Sequence, residues 1–239
     1  MRNIYDIHTH ILPRVDDGAV SMQESLEIIE DELNQGVTGI MLTPHCKKNA
    51  FETEESAIYV QYKMLLMETA ERFPEMDIRL GCEFHTRDDM AEELEKRRFV
   101  TLGKSDTILL EFSFGHDAEY IIRKTRELLE LGYIPMIAHI EYYQKIYKKY
   151  KVVEELRNLG AGIQIDADGV MGQEGTKARK FCEGLLKRGL VDYVASDVHN
   201  MNSRRSNIGR CADIIEEKYG SDCAKAIFVE NPRKIFEKT

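Results

Sequence analysis

Asp6-Ile7-His8-Thr9-His10 closes a predicted strand over about residues 4–9 with two imidazoles on alternate positions. Residues two apart in a strand share a face, so His8 and His10 point the same way. Alone, such a pair reads equally well as two surface or core histidines. What changes the reading is recurrence. His45 ends Met41-Leu42-Thr43-Pro44-His45, and Glu83 ends Leu80-Gly81-Cys82-Glu83. Glu111 ends Ile108-Leu109-Leu110-Glu111, and His139 ends Met136-Ile137-Ala138-His139. Asp197 and His199 end Val194-Ala195-Ser196-Asp197-Val198-His199, and Asp17 follows shortly after the first strand. In a parallel barrel the C-terminal ends of all strands gather on one face. Nine residues far apart in sequence are therefore expected to meet in one pocket.

The spacing between these points supports that fold. Ser21-Met22-Gln23-Glu24 is a capping-box sequence that opens a helix to about Gln35. Gly36 stops it, and the helix–glycine–strand joint returns at Gly132, Gly160 and Gly189. Strands are predicted at about 4–9, 37–43, 77–83, 107–111, 134–138, 161–165 and 192–196. Helices are predicted near 54–72, 117–131, 145–159 and 176–188. From about 207 the chain reads as helices, with Pro232 opening a last short one. Alternation of this kind fits a parallel barrel or a doubly wound sheet. An open sheet gathers its site at one switch point. Here six of the seven strand ends carry candidate ligands, which requires a nearly closed ring. The expectation is an α/β fold, a distorted seven-stranded (β/α)7 barrel, as one domain over 1–239.

The bulk numbers agree. The chain has 239 residues, and 43% are hydrophobic, an ordinary value for a globular core. No apolar run approaches the ~18 residues of a membrane span. The N-terminus enters a strand without an apolar signal region, so a cytoplasmic location is expected. A net charge of −9 disfavours a phosphate backbone as partner, so no nucleic acid is expected. The five cysteines, Cys46, Cys82, Cys182, Cys211 and Cys223, form no CxxC pair, and their odd number argues for thiols.

Five of the seven histidines sit at predicted strand ends. Glu83 and Glu111 end runs that are mostly apolar, where an unpaired carboxylate is costly and a metal ion would relieve the cost. Mixed imidazole and carboxylate without thiolate suits Mn²⁺, Fe²⁺ or Zn²⁺. Nine ligands exceed the needs of one ion. A carboxylate shared between two ions would build a cluster that lowers the pKa of bound water and clamps a phosphoryl oxygen.

The blocks Asp6-Ile7-His8-Thr9-His10-Ile11-Leu12-Pro13, Asp16-Asp17-Gly18-Ala19, Thr43-Pro44-His45, Ile137-Ala138-His139-Ile140-Glu141, Ala195-Ser196-Asp197-Val198-His199-Asn200 and Asn231-Pro232-Arg233-Lys234-Ile235 resemble the polymerase-and-histidinol-phosphatase (PHP) superfamily. More closely, they resemble its bacterial tyrosine-protein phosphatases of capsular and exopolysaccharide operons. The resemblance spans nearly the whole chain and keeps the block order. It implies a three-metal cluster, usually manganese. By position, His8, His10, Glu83 and Asp197 would hold the first metal. Glu83, Glu111 and His139 would hold the second, and Asp17, His45 and His199 the third. It also implies attack by a metal-bridging hydroxide on phosphotyrosine phosphorus, with Asp197, His199 and Arg204 in the catalytic set. The partner it implies is the tyrosine-rich tail of a bacterial tyrosine kinase. Oligomeric state is left open.

One departure stands out. The family commonly reads His-x-Glu-Arg after the fifth strand, and this chain reads His139-Ile140-Glu141-Tyr142. Tyr142 donates a hydrogen bond but carries no charge at neutral pH. Arg204 and Arg205 match a second expected arginine, and Lys47, with Lys48, is a further candidate for holding phosphate, against a reading as solvated loop. An alternative is a PHP-type phosphoesterase acting on a small monoester such as histidinol phosphate or a sugar phosphate. A non-catalytic module is disfavoured by the complete ligand set.

Other matches carry less. Cys182 and Arg188 have the Cys-x5-Arg spacing of thiol-dependent phosphatases, but the intervening residues read as helix, not as a loop of amides around phosphate. His85 and His116 fall near the predicted mouth, as general-acid candidates or ordinary loop histidines. Asp166 and Asp168 fall on the rim, with a structural role expected. Tyr143, Tyr147 and Tyr150 are expected to share one face of a helix.

Overall fold

The computed structural model describes residues 1–97 and 100–238. Among the described residues, nine strand segments run parallel: β1 (Ile4–Thr9), β2 (Val37–Leu42), β3 (His45–Cys46), β4 (Asp77–Leu80), β5 (Glu83–His85), β6 (Thr107–Glu111), β7 (Ile134–Ile137), β8 (Gly162–Asp166) and β9 (Tyr193–Ala195). They form a three-stranded sheet in the order β1-β2-β4 and a six-stranded sheet in the order β3-β5-β6-β7-β8-β9. The larger sheet is curled as a half-barrel. Its last strand returns to the first through a parallel bridge between Thr9 and Val198. Asp197 N–H donates to the His8 carbonyl at 3.0 Å and His10 N–H to the Val198 carbonyl at 2.9 Å.

Seven strands were expected; the one expected over 77–83 is broken into β4 and β5, and β3 lies just beyond the one expected over 37–43. Pro44 has no N–H and interrupts the region of β2 and β3. Beside it, Gly81-Cys82 separates β4 from β5. Hydrogen bonding nevertheless continues across both gaps, from Gly81 N to Leu42 O at 2.8 Å and from Glu83 N to Pro44 O at 3.1 Å.

The helices are α1 (Met22–Asn34), α2 (Glu55–Arg72), α3 (Met90–Lys96), α4 (Ala118–Glu130), α5 (Tyr150–Leu159), α6 (Ala167–Met171), α7 (Gly175–Leu186), α8 (Ile208–Tyr219), α9 (Ser221–Lys225) and α10 (Asn231–Phe236). Ser21 caps α1 as its sequence predicts, its hydroxyl accepting from Glu24 N at 3.2 Å. Glu24 reaches one residue further back, to Val20 N, at 3.0 Å. Short α3 and α6 escaped the sequence reading.

Ile7, Met41, Leu109, Met136 and Ala195 come from five strands and share one apolar cluster with Ile235 and Phe236 of α10. The two sheets curl round this shared cluster, and α10 plugs it. Gly39 makes room for this plug: a Cβ there would strike the Tyr5 ring, which packs 4.9 Å from Phe236. A larger cluster holds the helices against the sheet.

The segment 145–159 corrects an expectation. Two 3-10 turns, Ile140–Tyr142 and Gln144–Ile146, precede α5, so Tyr143, Tyr147 and Tyr150 do not share a helix face. Tyr143 is pinned separately. Its hydroxyl donates to Ala138 O at 2.9 Å and accepts from Phe112 N at 3.1 Å. Tyr147 and Tyr150 each pack 5.6 Å from Phe181.

Candidate metal centre

The strand ends converge as their sequence pattern requires. His8 Nε2 and His10 Nε2 face each other at 3.2 Å. Each lies 3.3 Å from Asp197 Oδ1 and 3.5 Å from Glu83 Oε2. Glu83 is the hub. Its Oε1 lies 2.8 Å from His139 Nε2, and its Oε2 lies 2.6 Å from His45 Nδ1. Asp17 Oδ1 sits 3.3 Å from His45 Nε2 and 3.5 Å from His199 Nε2. Three sets present convergent donor atoms: His8, His10 and Asp197; His45, Glu83 and Glu111; and His10, Asp17, His45 and His199. His139 joins through Glu83. All nine expected residues are thus in one cluster, although His10 and His45 each bridge two sets that the family pattern keeps apart.

The chemistry of the donors fits a cation. Two ring nitrogens facing each other at 3.2 Å need a proton or a metal between them. His45 Nδ1, Glu83 Oε2 and His199 Nε2 are buried without an aligned hydrogen bond. Burial alone would discharge the imidazoles, yet Asp16 holds His10 up at about 9. Glu83 and Asp17 likewise outweigh burial and hold His45 at about 11, and Glu83 holds His139 at about 10. Conversely, burial opposes ionisation of Glu83 and Asp197, but the neighbouring imidazoles win and hold both below the usual carboxylate range. Hydrogen bonds from His199 and His45 depress Asp17. Glu111 goes the other way, raised by burial and by the Glu83 charge. The pocket therefore stabilises positive charge at its centre.

Residues behind the cluster orient it, and sequence reasoning missed their roles. Asp16 Oδ2 lies 2.7 Å from His10 Nδ1 and accepts from His45 N at 3.0 Å. Buried Gln164 accepts from His139 N at 2.8 Å and lies 3.4 Å from His8 Nδ1. The signal for Gln164 was a lone amide in the apolar run Gly162-Ile163-Gln164-Ile165. Asn200 Oδ1 accepts from the amides of Asn202, Ser203 and Arg204, building the loop that delivers Arg204. His139 and Asp197 take positive φ values of 29° and 53°. Such backbone costs about 1–3 kcal/mol per residue and is held by the surrounding contacts.

The expected substrate contacts divide. Arg204 Nη2 lies 2.7 Å from Asp197 Oδ2, and its Nη1 lies 3.7 Å from Asp17 Oδ2. Lys47 Nζ reaches Glu111 Oε1 at 3.3 Å. The Tyr142 ring stacks on His139 at 5.0 Å. Arg205 turns away and pairs with Asp31 of α1, while Lys48 pairs with Asp89 at 3.0 Å. His85 bonds Ser113 Oγ at 3.0 Å, and burial pushes its pKa down to about 4. His116 packs on Tyr120 at 3.8 Å. Asp166 is buried below Glu141 and bonded by Gln164 Nε2 at 2.6 Å. Cys182 is buried within α7, where burial raises its thiol well above the usual range, and Arg188 bonds the Gly184 carbonyl. That is no phosphate-binding loop.

Known proteins resemble this chain over nearly its whole length. The family model for capsular polysaccharide synthesis, CpsB/CapC, matches residues 4–237. Tyrosine-protein phosphatase CpsB of Streptococcus pneumoniae is 38% identical over 238 residues, covering 96% of this chain and 97% of that protein. Crystal structures of YwqE from Bacillus subtilis and CpsB from Streptococcus pneumoniae describe metal-dependent tyrosine phosphatases. The matched chain superposes with a TM-score of 0.90 at 28% identity, covering 99% of this chain and 95% of that one. Histidinol phosphate phosphatase from Lactococcus lactis, at 13% identity and a TM-score of 0.58 over 92% of this chain and 95% of that one, shares the fold alone. The chain belongs to the CpsB/CapC family.

Proposed function

We propose that this protein is a metal-dependent protein-tyrosine phosphatase, a phosphoric monoester hydrolase acting on phosphotyrosyl proteins. The observation that carries the reading is the convergence of nine imidazole and carboxylate groups, with Glu83 at the hub, in a chain of the CpsB/CapC family. We take the nine strand segments as seven staves of one distorted barrel, with β2–β3 and β4–β5 each a single interrupted stave. His8, His10, Asp17, His45, Glu83, Glu111, His139, Asp197 and His199 would hold a three-metal cluster, with Mn²⁺ as the first choice and Fe or Zn as alternatives. When bound, such a cluster supplies positive charge to the phosphoryl oxygens and lowers the pKa of water.

The chain's own groups do the rest. Arg204, held by Asp197 at 2.7 Å, is placed to pair with a phosphoryl oxygen. Lys47 adds a second cation beside Glu111. Glu83 stays ionised between the two sides of the pocket because four imidazoles face it. The physiological partner we propose is the phosphorylated tyrosine-rich tail of a bacterial tyrosine kinase governing capsule or exopolysaccharide synthesis, with this chain acting in the cytoplasm. No helix among the described residues is long and apolar enough to cross a membrane.

The test is phosphate release from a phosphotyrosyl peptide and from a panel of small monoesters, with Mn²⁺ and after chelation. Chelator-sensitive release from the peptide is expected. Activity confined to small esters would favour the metabolite phosphoesterase, the reading that the uncharged Tyr142 supports.

A further inference from the structure

A cavity of about 520 Å³ opens beside the metal centre, within the range of small-molecule sites. Phe114, Tyr142, Tyr147, Lys177 and Arg204 line it. Two of these belong equally to the centre. Arg204 pairs with Asp197, and the Tyr142 ring stacks on His139. The cavity therefore begins where the phosphoryl group of a bound ester would sit, and three rings, Phe114, Tyr142 and Tyr147, wall it together with Glu141, Glu174, Lys177 and Arg204.

Phe114 sets its character. It follows Glu111 by three residues, in the turn after β6, and is 62% exposed. A lone exposed phenylalanine carries no message. This one stands 6.3 Å from the Tyr142 ring at 65°, an aromatic wedge at the mouth of a cavity that also presents Lys177 and Arg204. Aromatic rings pair favourably at such angles and separations. Tyr147 is turned aside onto Phe181, with Lys177 Nζ 4.8 Å above its face, so it bounds the cavity without filling it.

We propose that this cavity is the subsite for the phenyl ring of the phosphotyrosyl substrate, and that Phe114 is the residue selecting aryl over aliphatic phosphate monoesters. The proposal rests on the phosphatase reading above. An aliphatic ester presents the same phosphoryl group to Arg204 and the metal centre but offers nothing to the Phe114–Tyr142 wedge. Discrimination by one apolar contact of this size is worth roughly tenfold.

The experiment uses the full Mn²⁺-loaded chain as wild type, Phe114→Ala and Phe114→Tyr. Calorimetry gives dissociation constants for phenylphosphonate and methylphosphonate, and steady-state assays give kcat and KM for a phosphotyrosyl peptide and for glycerol 2-phosphate. The exposed position makes an intact fold the expectation, checked by circular dichroism. Phe114→Ala is expected to weaken phenylphosphonate about tenfold more than methylphosphonate. The KM for the peptide should rise by a similar factor relative to that for the aliphatic ester, and Phe114→Tyr should restore the preference. Equal losses for both classes overturn the ring subsite and leave the phosphatase standing. A wild type that does not hydrolyse the peptide overturns the phosphatase reading and the subsite with it.

Discussion

Asp16 Oδ2 lies 2.7 Å from His10 Nδ1 and 3.0 Å from the amide nitrogen of His45, so one buried carboxylate fixes two candidate ligands from different staves. It also keeps its own charge: burial opposes ionisation, but the adjacent His10 outweighs it and lowers the pKa. A carboxylate on the far nitrogen of a ligating imidazole sets its tautomer and raises its basicity. Asp16→Ala is expected to weaken metal binding about 10- to 100-fold while the barrel stays folded. Metal titration with circular dichroism checks this, and unchanged affinity would reduce Asp16 to a loop residue.

Tyr142 offers the opposite experiment, a gain. Burial, then the carboxyls of Asp166 and Glu141, push its phenol far up, so it stays neutral. Those two carboxyls are themselves raised by burial, Asp166 to about 7. A guanidinium in this position would meet acidic neighbours on one side and the substrate phosphate on the other. Tyr142→Arg is expected to lower KM for phosphate monoesters several-fold, on the order of 1 kcal/mol of added binding. A KM equal to wild type would show that Arg204 and Lys47 already supply the charge.

Acidity of the metal-free pocket links binding to protons. His10, His45 and His139, at about 9, 11 and 10, carry protons at pH 7 and must release them to coordinate a metal. Metal affinity should therefore rise with pH through the neutral range, with proton release visible by calorimetry in buffers of different ionisation enthalpy. Stability of the metal-free chain follows the sign of each shift. The raised imidazoles contribute fully below the ordinary histidine pKa of about 6.5 and lose that contribution as pH climbs through 9–11. The depressed Glu83 and Asp197 contribute above the ordinary carboxylate range and lose it as pH falls through their lowered values. A melting-temperature profile of chelated protein should thus decline on the alkaline side. A profile that keeps rising to pH 11 contradicts the protonated imidazole cluster.

Cys182 supplies a control on mechanism. Buried in α7 with its thiol pushed well up, it is a poor nucleophile. Cys182→Ala should retain activity within about twofold and cost about 1 kcal/mol of stability through the lost sulfur. Loss of turnover in a folded Cys182→Ala protein would reopen thiol chemistry.

Much of this centre was legible in the sequence because strand ends are where periodicity stops, and each apolar run stopped on an imidazole or a carboxylate. His8, His45, Glu83, Glu111, His139 and Asp197 could be found from that rule alone, and the parallel alternation of strand and helix then forced them onto one face. The breaks between β2 and β3 at Pro44 and between β4 and β5 at Gly81-Cys82 were less visible, since the hydrogen bonds across those gaps depend on both neighbours at once.

Tertiary structure decided what no local pattern encodes. Whether Arg204 or Arg205 faces the centre depends on Asn200 gathering three amides and on Asp31 of α1 capturing Arg205, contacts between segments far apart in the chain. Asp16, Gln164 and Tyr143 look like ordinary loop, strand and packing residues until folding sets them behind His10, His8 and His139. The sequence by itself determined which groups would gather at the strand ends as candidate ligands, because charge buried at a strand end must be compensated. Their orientation, and the aromatic wedge of Phe114 and Tyr142 beside them, came from packing, because side-chain direction is fixed by neighbours that the chain brings together only when folded.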